Sequence, residues 1–255
     1  MLSIFSTLRE AFYLWLRNFW WVTVVTLVSG VPDLFWKDFS QQNHPTASGA
    51  LRLVWFLETL LSLILNTAGS AAILGLLGKS AEQDAWTAIW SSIQENTWTL
   101  FRLFLLILLI VMIPVVVVSF LAAYLARVGP LIALVLAFFY FIFIKYALAN
   151  PLVVVEKMNA WQALKRSWEL TRGHFWYVGG CYLFIGGSIW MITWLVTSPS
   201  STRFHEMPWP VQVFLQLIEP IWMISAWCMY LRIREVEGDP VLLGNLMDET
   251  PEEER

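Results

Sequence analysis

Apolar residues recur along this chain in two registers. Long apolar runs alternate with short stretches in which three large apolar residues stand at i, i+3 and i+7, the spacing of one helical face. The triplets are Phe5/Leu8/Phe12, Trp86/Ile89/Ile93 and Trp161/Leu164/Trp168. Seven residues beyond each comes the lead-in to an apolar run: Phe19-Trp20, Leu100-Phe101 and Phe175-Trp176. The copies are offset by 81 and then 75 residues. Repetition on this scale predicts three alike modules, each a short amphipathic helix followed by two spans.

The apolar runs are long enough to cross a bilayer, which takes roughly 20 residues. They predict six transmembrane helices: Asn18 to Trp36, Leu53 to Leu77, Leu100 to Leu125, Pro130 to Val155, Phe175 to Val196 and Val211 to Leu231. The expected fold class is therefore all-α, a polytopic helical membrane protein. Its membrane domain covers residues 1–234, with repeats of about 1–78, 79–155 and 156–234. Pro114 and Pro220 are expected kink sites.

Composition agrees. Of 255 residues, 58% are hydrophobic and 14% charged, with a mean hydropathy of +0.63, against roughly a quarter charged in soluble domains. The net charge of -3 comes from the end of the chain. Eight of 19 acids follow Arg234, so residues 235–255 read as an acidic, disordered, solvated tail. Arg9, Glu10 and Arg17 interrupt any signal-peptide h-region.

Lys and Arg counting sets an expected orientation. With the N-terminus inside, Arg9, Arg17, Lys79, Arg102, Lys157, Lys165, Arg166, Arg172, Arg232, Arg234 and Arg255 are cytoplasmic, and Lys37, Arg52, Arg127 and Arg203 lie outside. This predicts a multi-pass protein of the bacterial inner membrane with both termini in the cytoplasm. All three amphipathic helices then lie on the cytoplasmic face. The third is the most cationic, with Lys165, Arg166 and Arg172 placed opposite Trp161, Leu164 and Trp168. Trp on one face and Lys or Arg on the other suits an anionic leaflet, so Trp161, Lys165, Arg166, Trp168 and Arg172 form a candidate lipid or partner site.

Small residues predict which spans pack closely. Ala68-Gly69-Ser70-Ala71-Ala72 with Gly75 and Gly78 in the second, and Gly179-Gly180 with Gly186-Gly187 in the fifth, place these two centrally. The 16 tryptophans cluster near span ends, as an aromatic belt does. Charge inside hydrocarbon is costly and marks function more often than chance. Asp33, Glu58 and Glu219 fall in the outer third of their spans, Arg102 and Lys145 in the inner third. Glu58, Lys145 and Glu219 form a candidate intramembrane polar site, the acids suited to proton sharing or a cation path.

No soluble-enzyme constellation is present. His44, His174 and His205 lie in separate loops, and Cys181 and Cys228 sit in apolar segments without a CxxC partner, so neither a catalytic, a metal nor a cofactor site is signalled. Nothing points to nucleic acid. There is no G-x-S-x-G and no Walker A loop.

From Pro151 to Trp176 the chain reads Pro-Leu-Val-Val-Val-Glu156, Ala160-Trp-Gln-Ala-Leu-Lys-Arg-Ser-Trp168 and Leu170-Thr-Arg-Gly-His-Phe-Trp176. This block resembles the YciC-like bacterial integral membrane proteins and the related glycerophosphoryl diester phosphodiesterase membrane domain. The resemblance implies a six-span domain with interfacial helices and assigns no chemistry. Glu156, Ser167 and Arg172 match the motif; with Glu156 and Ser167 as the motif elbow, Glu156 is expected to pair with Lys157, Lys165 or Arg172 and hold the end of span four. The functional expectation is a non-enzymatic scaffold or envelope-homeostasis factor engaging lipid or a membrane-protein partner. The alternative is a carrier of lipid or small solute using the intramembrane acids.

Overall fold

The computed structural model describes residues 2–42, 49–79, 83–124, 128–197, 216–218 and 220–238. Every described element is a helix: α1 Ile4–Arg17, α2 Phe19–Gln42, α3 Gly49–Leu77, α4 Ala85–Tyr124, α5 Val128–Tyr146, α6 Ala149–Val155, α7 Ala160–Thr197 and α8 Pro220–Glu237. In hydrocarbon a helix satisfies its own backbone, which is why apolar composition and helix go together here. Among the described residues four helices are long and apolar enough to cross a membrane: Phe56–Leu77, Ala85–Pro114, Ala137–Val155 and Ala160–Trp194. A fifth arises if α1 and the start of α2, bent by 81°, form one broken span. The expected sixth span is not among these: residues 211–215 and 219 lie outside the described residues, and α8, which covers the rest of it, is not one of the helices long and apolar enough to cross.

The lead helices join their spans in different ways. Asn18 breaks α1 from α2 with φ -103° and ψ 17°. Its side-chain amide donates to the Leu14 carbonyl at 3.0 Å. His174 bends α7 with φ -124° and ψ 22°. These two positions are related by the same offsets as the triplets. The second lead helix does not stand apart as expected: it runs without a break into its span as α4, a single helix of 40 residues that includes Pro114. At 1.5 Å per residue α4 is about 60 Å long, twice a hydrocarbon core, so its first turns extend beyond it.

The expected fourth span is interrupted. α5 ends at Tyr146 and α6 begins at Ala149. Pro151 accounts for the break, because its ring displaces the carbonyl four residues before it and it has no N–H to donate. The carbonyl of Lys145, at the end of α5, instead accepts the Ser167 hydroxyl from α7 at 2.8 Å.

Close packing concentrates at one end of the bundle. Ala71, Ala72 and Leu74 of α3 are fully buried, and Val178 and Cys181 of α7 likewise, so both small-residue spans contribute to the core. α3 and α4 approach most closely at Gly75, where a Cβ would come within 2.3 Å of the Ser92 Cβ and 2.9 Å of the Ala88 carbonyl oxygen. Ser92 donates its hydroxyl across this seam to the Ala71 carbonyl at 2.7 Å. The bond of Ser167 to Lys145 has the same form one offset of 75 residues later. α1 packs against α8 and α7: Glu10 pairs with Arg232, and Thr7 and Tyr177 share a hydroxyl hydrogen bond of 2.6 Å. Hydrogen bonding to Glu10 raises the Arg232 pKa above its ordinary value, burial opposing it.

α6 terminates through Lys157, a non-glycine residue in the left-handed region with φ 52°. That conformation costs an L residue roughly 1–2 kcal/mol. Lys157 pairs with Glu95 at 2.5 Å, both side chains being exposed, and exposed pairs contribute little. Lys157→Gly is therefore expected to raise stability by about 1 kcal/mol. Thermal unfolding in detergent checks this, and a lower melting temperature would contradict it.

α8 continues to Glu237, so the first residues expected in the tail are helical and paired: Glu235 with Arg232 at 3.1 Å and Glu237 with Arg166 at 3.6 Å. Residues 239–255 lie outside the described residues.

Candidate functional site

The first part of α7 divides its residues in a way that corrects the sequence expectation. Ala160, Ala163, Leu164, Ser167, Leu170 and Thr171 are buried. Trp161, Lys165, Trp168 and Arg172 are exposed. Their spacing of 4, 3 and 4 keeps these four on one face within about 60° of each other at 100° per residue. Lys165 and Arg172 thus share a face with Trp161 and Trp168 instead of opposing them. Leu164 belongs to the buried side. Arg166 stands apart, paired with Glu169 and Glu237 at 3.6 Å each.

The other two lead helices show the same division. Thr7, Ala88 and Ala163 are buried at one repeat position, and Ala11, Ser92 and Ser167 at another. Phe5, Trp86 and Trp161 are exposed by 72%, 61% and 66%. Small and hydroxyl-bearing residues face protein, and large aromatic ones face outward. The Trp86 and Trp90 rings stack at 6.3 Å, and Trp20 and Trp176 are among the most exposed side chains.

Trp168 has a second role. Lys145 is buried, with its ammonium over the rings of Trp168, Phe175 and Phe141 at 5.0, 5.6 and 5.7 Å. Three ring faces around one cation compensate much of its desolvation. The sequence reading placed Lys145 with Glu58 and Glu219; the structure places it with aromatics, and among the described residues no carboxylate pairs with it. Glu58 is half-buried and lies 3.5 Å from the Ser62 hydroxyl on its own helix. Glu219 and the side chain of Asp33 lie outside the described residues. Arg102 stacks over Trp98 at 5.3 Å.

Glu156 does hold an elbow, through partners other than those expected. Its Oε1 accepts the Tyr230 hydroxyl at 2.7 Å and pairs with Arg234 Nη2 at 3.5 Å. Lys157 is committed to Glu95, and Lys165 and Arg172 point to the exposed face of α7. Tyr230, Arg234, Phe141 and Phe175 were missed by sequence reasoning; the first two lie more than 70 residues from Glu156, where no local spacing signals a contact.

A cleft of about 280 Å³ runs beside the exposed face, lined by Ile110 of α4, Tyr146 of α5 and Trp161, Leu164, Lys165, Trp168 and Glu169 of α7. The arrangement can seat apolar chains against tryptophan, with Lys165 and Glu169 as its charged lining. No curated protein and no solved structure matches the chain. A family model, that of a domain of unknown function (DUF7847), matches residues 2–226, and this chain belongs to that family.

Proposed function

We propose that this is a non-enzymatic protein of the bacterial inner membrane, a scaffold or envelope-homeostasis factor that engages anionic lipid through its lead helices. The observation that carries this reading is the exposed Trp161/Lys165/Trp168/Arg172 face, whose two cations have no carboxylate partner among the described residues. Its opposite side is anchored by the buried hydroxyls of Ser167 and Thr171, which donate to the Lys145 carbonyl of α5 at 2.8 and 3.5 Å. A helix fixed from behind and presenting tryptophan and cations outward suits the headgroup layer. The reading includes three modules and six spans with both termini cytoplasmic, supported by the matched environments at offsets of 81 and 75 residues and by the charge bias. The YciC-like resemblance of the Pro151 to Trp176 block fits the same picture. A carrier has less support, because the Lys145 ammonium is enclosed by rings.

Each cation near an anionic leaflet contributes about 1 kcal/mol. Lys165→Gln/Arg172→Gln is therefore expected to weaken retention of phosphatidylglycerol over phosphatidylcholine by about tenfold or more. Native mass spectrometry of protein released from mixed-lipid nanodiscs counts the retained lipids. Equal retention by the variant and the wild type would sink the reading.

A further inference from the structure

A second cavity, of about 310 Å³, opens where α3, α4, α6 and α8 meet. Its floor is the seam at Gly75 and Gly78, its apolar walls are Leu74, Val154, Val155 and Trp227, and its polar rim carries Lys79, Gln83, Ser91, Glu95, Asn96 and Lys157. Lys79 lies two residues beyond the span Phe56–Leu77, and Lys157 two residues beyond the span Ala137–Val155. The polar rim is therefore at the depth where hydrocarbon gives way to headgroups.

The charge balance of the rim has a sign. Among the described residues Glu95 is the one carboxylate that lines it, and Lys157 neutralises that carboxylate at 2.5 Å. Lys79 then leaves the rim with one net positive charge among the described residues. The amide groups of Gln83 and Asn96 add neutral donors, the Asn96 Nδ2 lying 3.2 Å from the Ser92 hydroxyl. A cation with amide donors over an apolar floor is complementary to an anionic ester group carrying an apolar body.

We propose that this cavity binds a phosphate ester, with Lys79 as the principal charge partner and the Glu95–Lys157 pair as a gate on its charge. The phosphate belongs either to a lipid headgroup or to a soluble ester. The site is separate from the exposed face of α7, and the proposal stands or falls independently of the lipid-scaffold reading.

Calorimetric titration of the full-length protein in neutral detergent tests it, using water-soluble dihexanoyl phosphatidic acid in one arm and inorganic phosphate in the other. Binding in the first arm alone identifies a lipid headgroup; equal binding in both identifies a soluble phosphate. Lys79→Gln is expected to weaken binding at least tenfold, whereas Lys79→Arg stays within threefold of wild type. Glu95→Gln removes the only lining carboxylate among the described residues and is expected to tighten binding severalfold, a gain that a folding defect would not produce. The proposal is overturned by no binding in either arm, by wild-type affinity in Lys79→Gln, or by the absence of tightening in Glu95→Gln.

Discussion

Gly75→Ala is expected to destabilise the protein by about 3 kcal/mol, at the upper end of the cost of overpacking a core. The added methyl would meet Ser92 Cβ at 2.3 Å and the Ala88 carbonyl at 2.9 Å, so it strikes backbone as well as side chain. Relief requires α3 and α4 to separate along their closest seam. Separation stretches the hydrogen bond from Ser92 to the Ala71 carbonyl, which is 2.7 Å long and buried. In lipid no water stands by to replace that bond, and close contact of small residues is the main source of helix association. Thermal unfolding in detergent should show a large drop in melting temperature. Gly187→Ala, where a Cβ would meet nothing within 4 Å, serves as the control and is expected to change little. Equal melting of the two variants would contradict the seam.

Glu156→Ala should have an effect of similar size. The side chains of Glu156 and Arg234 are only 16% and 15% exposed, and Tyr230 is fully buried. Removing one member of a buried charged pair typically costs 3–5 kcal/mol; partial exposure puts the expected loss nearer about 3 kcal/mol. Glu156→Gln keeps an oxygen to accept the Tyr230 hydroxyl and should lose less. In a double-mutant cycle with Arg234→Ala, the combined loss is expected to fall short of the two single losses added together. Additive losses would show that the two side chains act independently.

That the chain is helical, with several helices long and apolar enough to cross a membrane, was legible in the sequence because it depends on composition and spacing alone. The orientation of α7 was not, for a physical reason. In water the largest apolar residues mark the buried face of a helix. Beside lipid the rule is reversed: large side chains can face acyl chains without penalty, and the protein-facing side favours small residues and hydroxyls that bring backbones together. Trp161 and Trp168 therefore drew attention to the outer face, while Ala163, Ser167 and Thr171, which carry the packing, looked unremarkable. The break after Tyr146 was signalled by Pro151 and went unread. The bonds from Glu156 to Tyr230 and Arg234 had no local signal, since they close between the end of α6 and α8. Lys145 was rightly singled out as an unusual charge, but its compensation comes from rings on α5 and α7 that a search for opposite charges passes over.

The packing of α1 on α8 has a consequence for synthesis. α1 is made well before its partners: Tyr177 follows Thr7 by 170 residues and Arg232 follows Glu10 by 222. Until then its small-residue face, with Thr7 and Ala11, has only lipid or a holding factor to rest against. Docking of α1 is thus expected to come late, and an insertion intermediate lacking α8 should leave α1 open to protease.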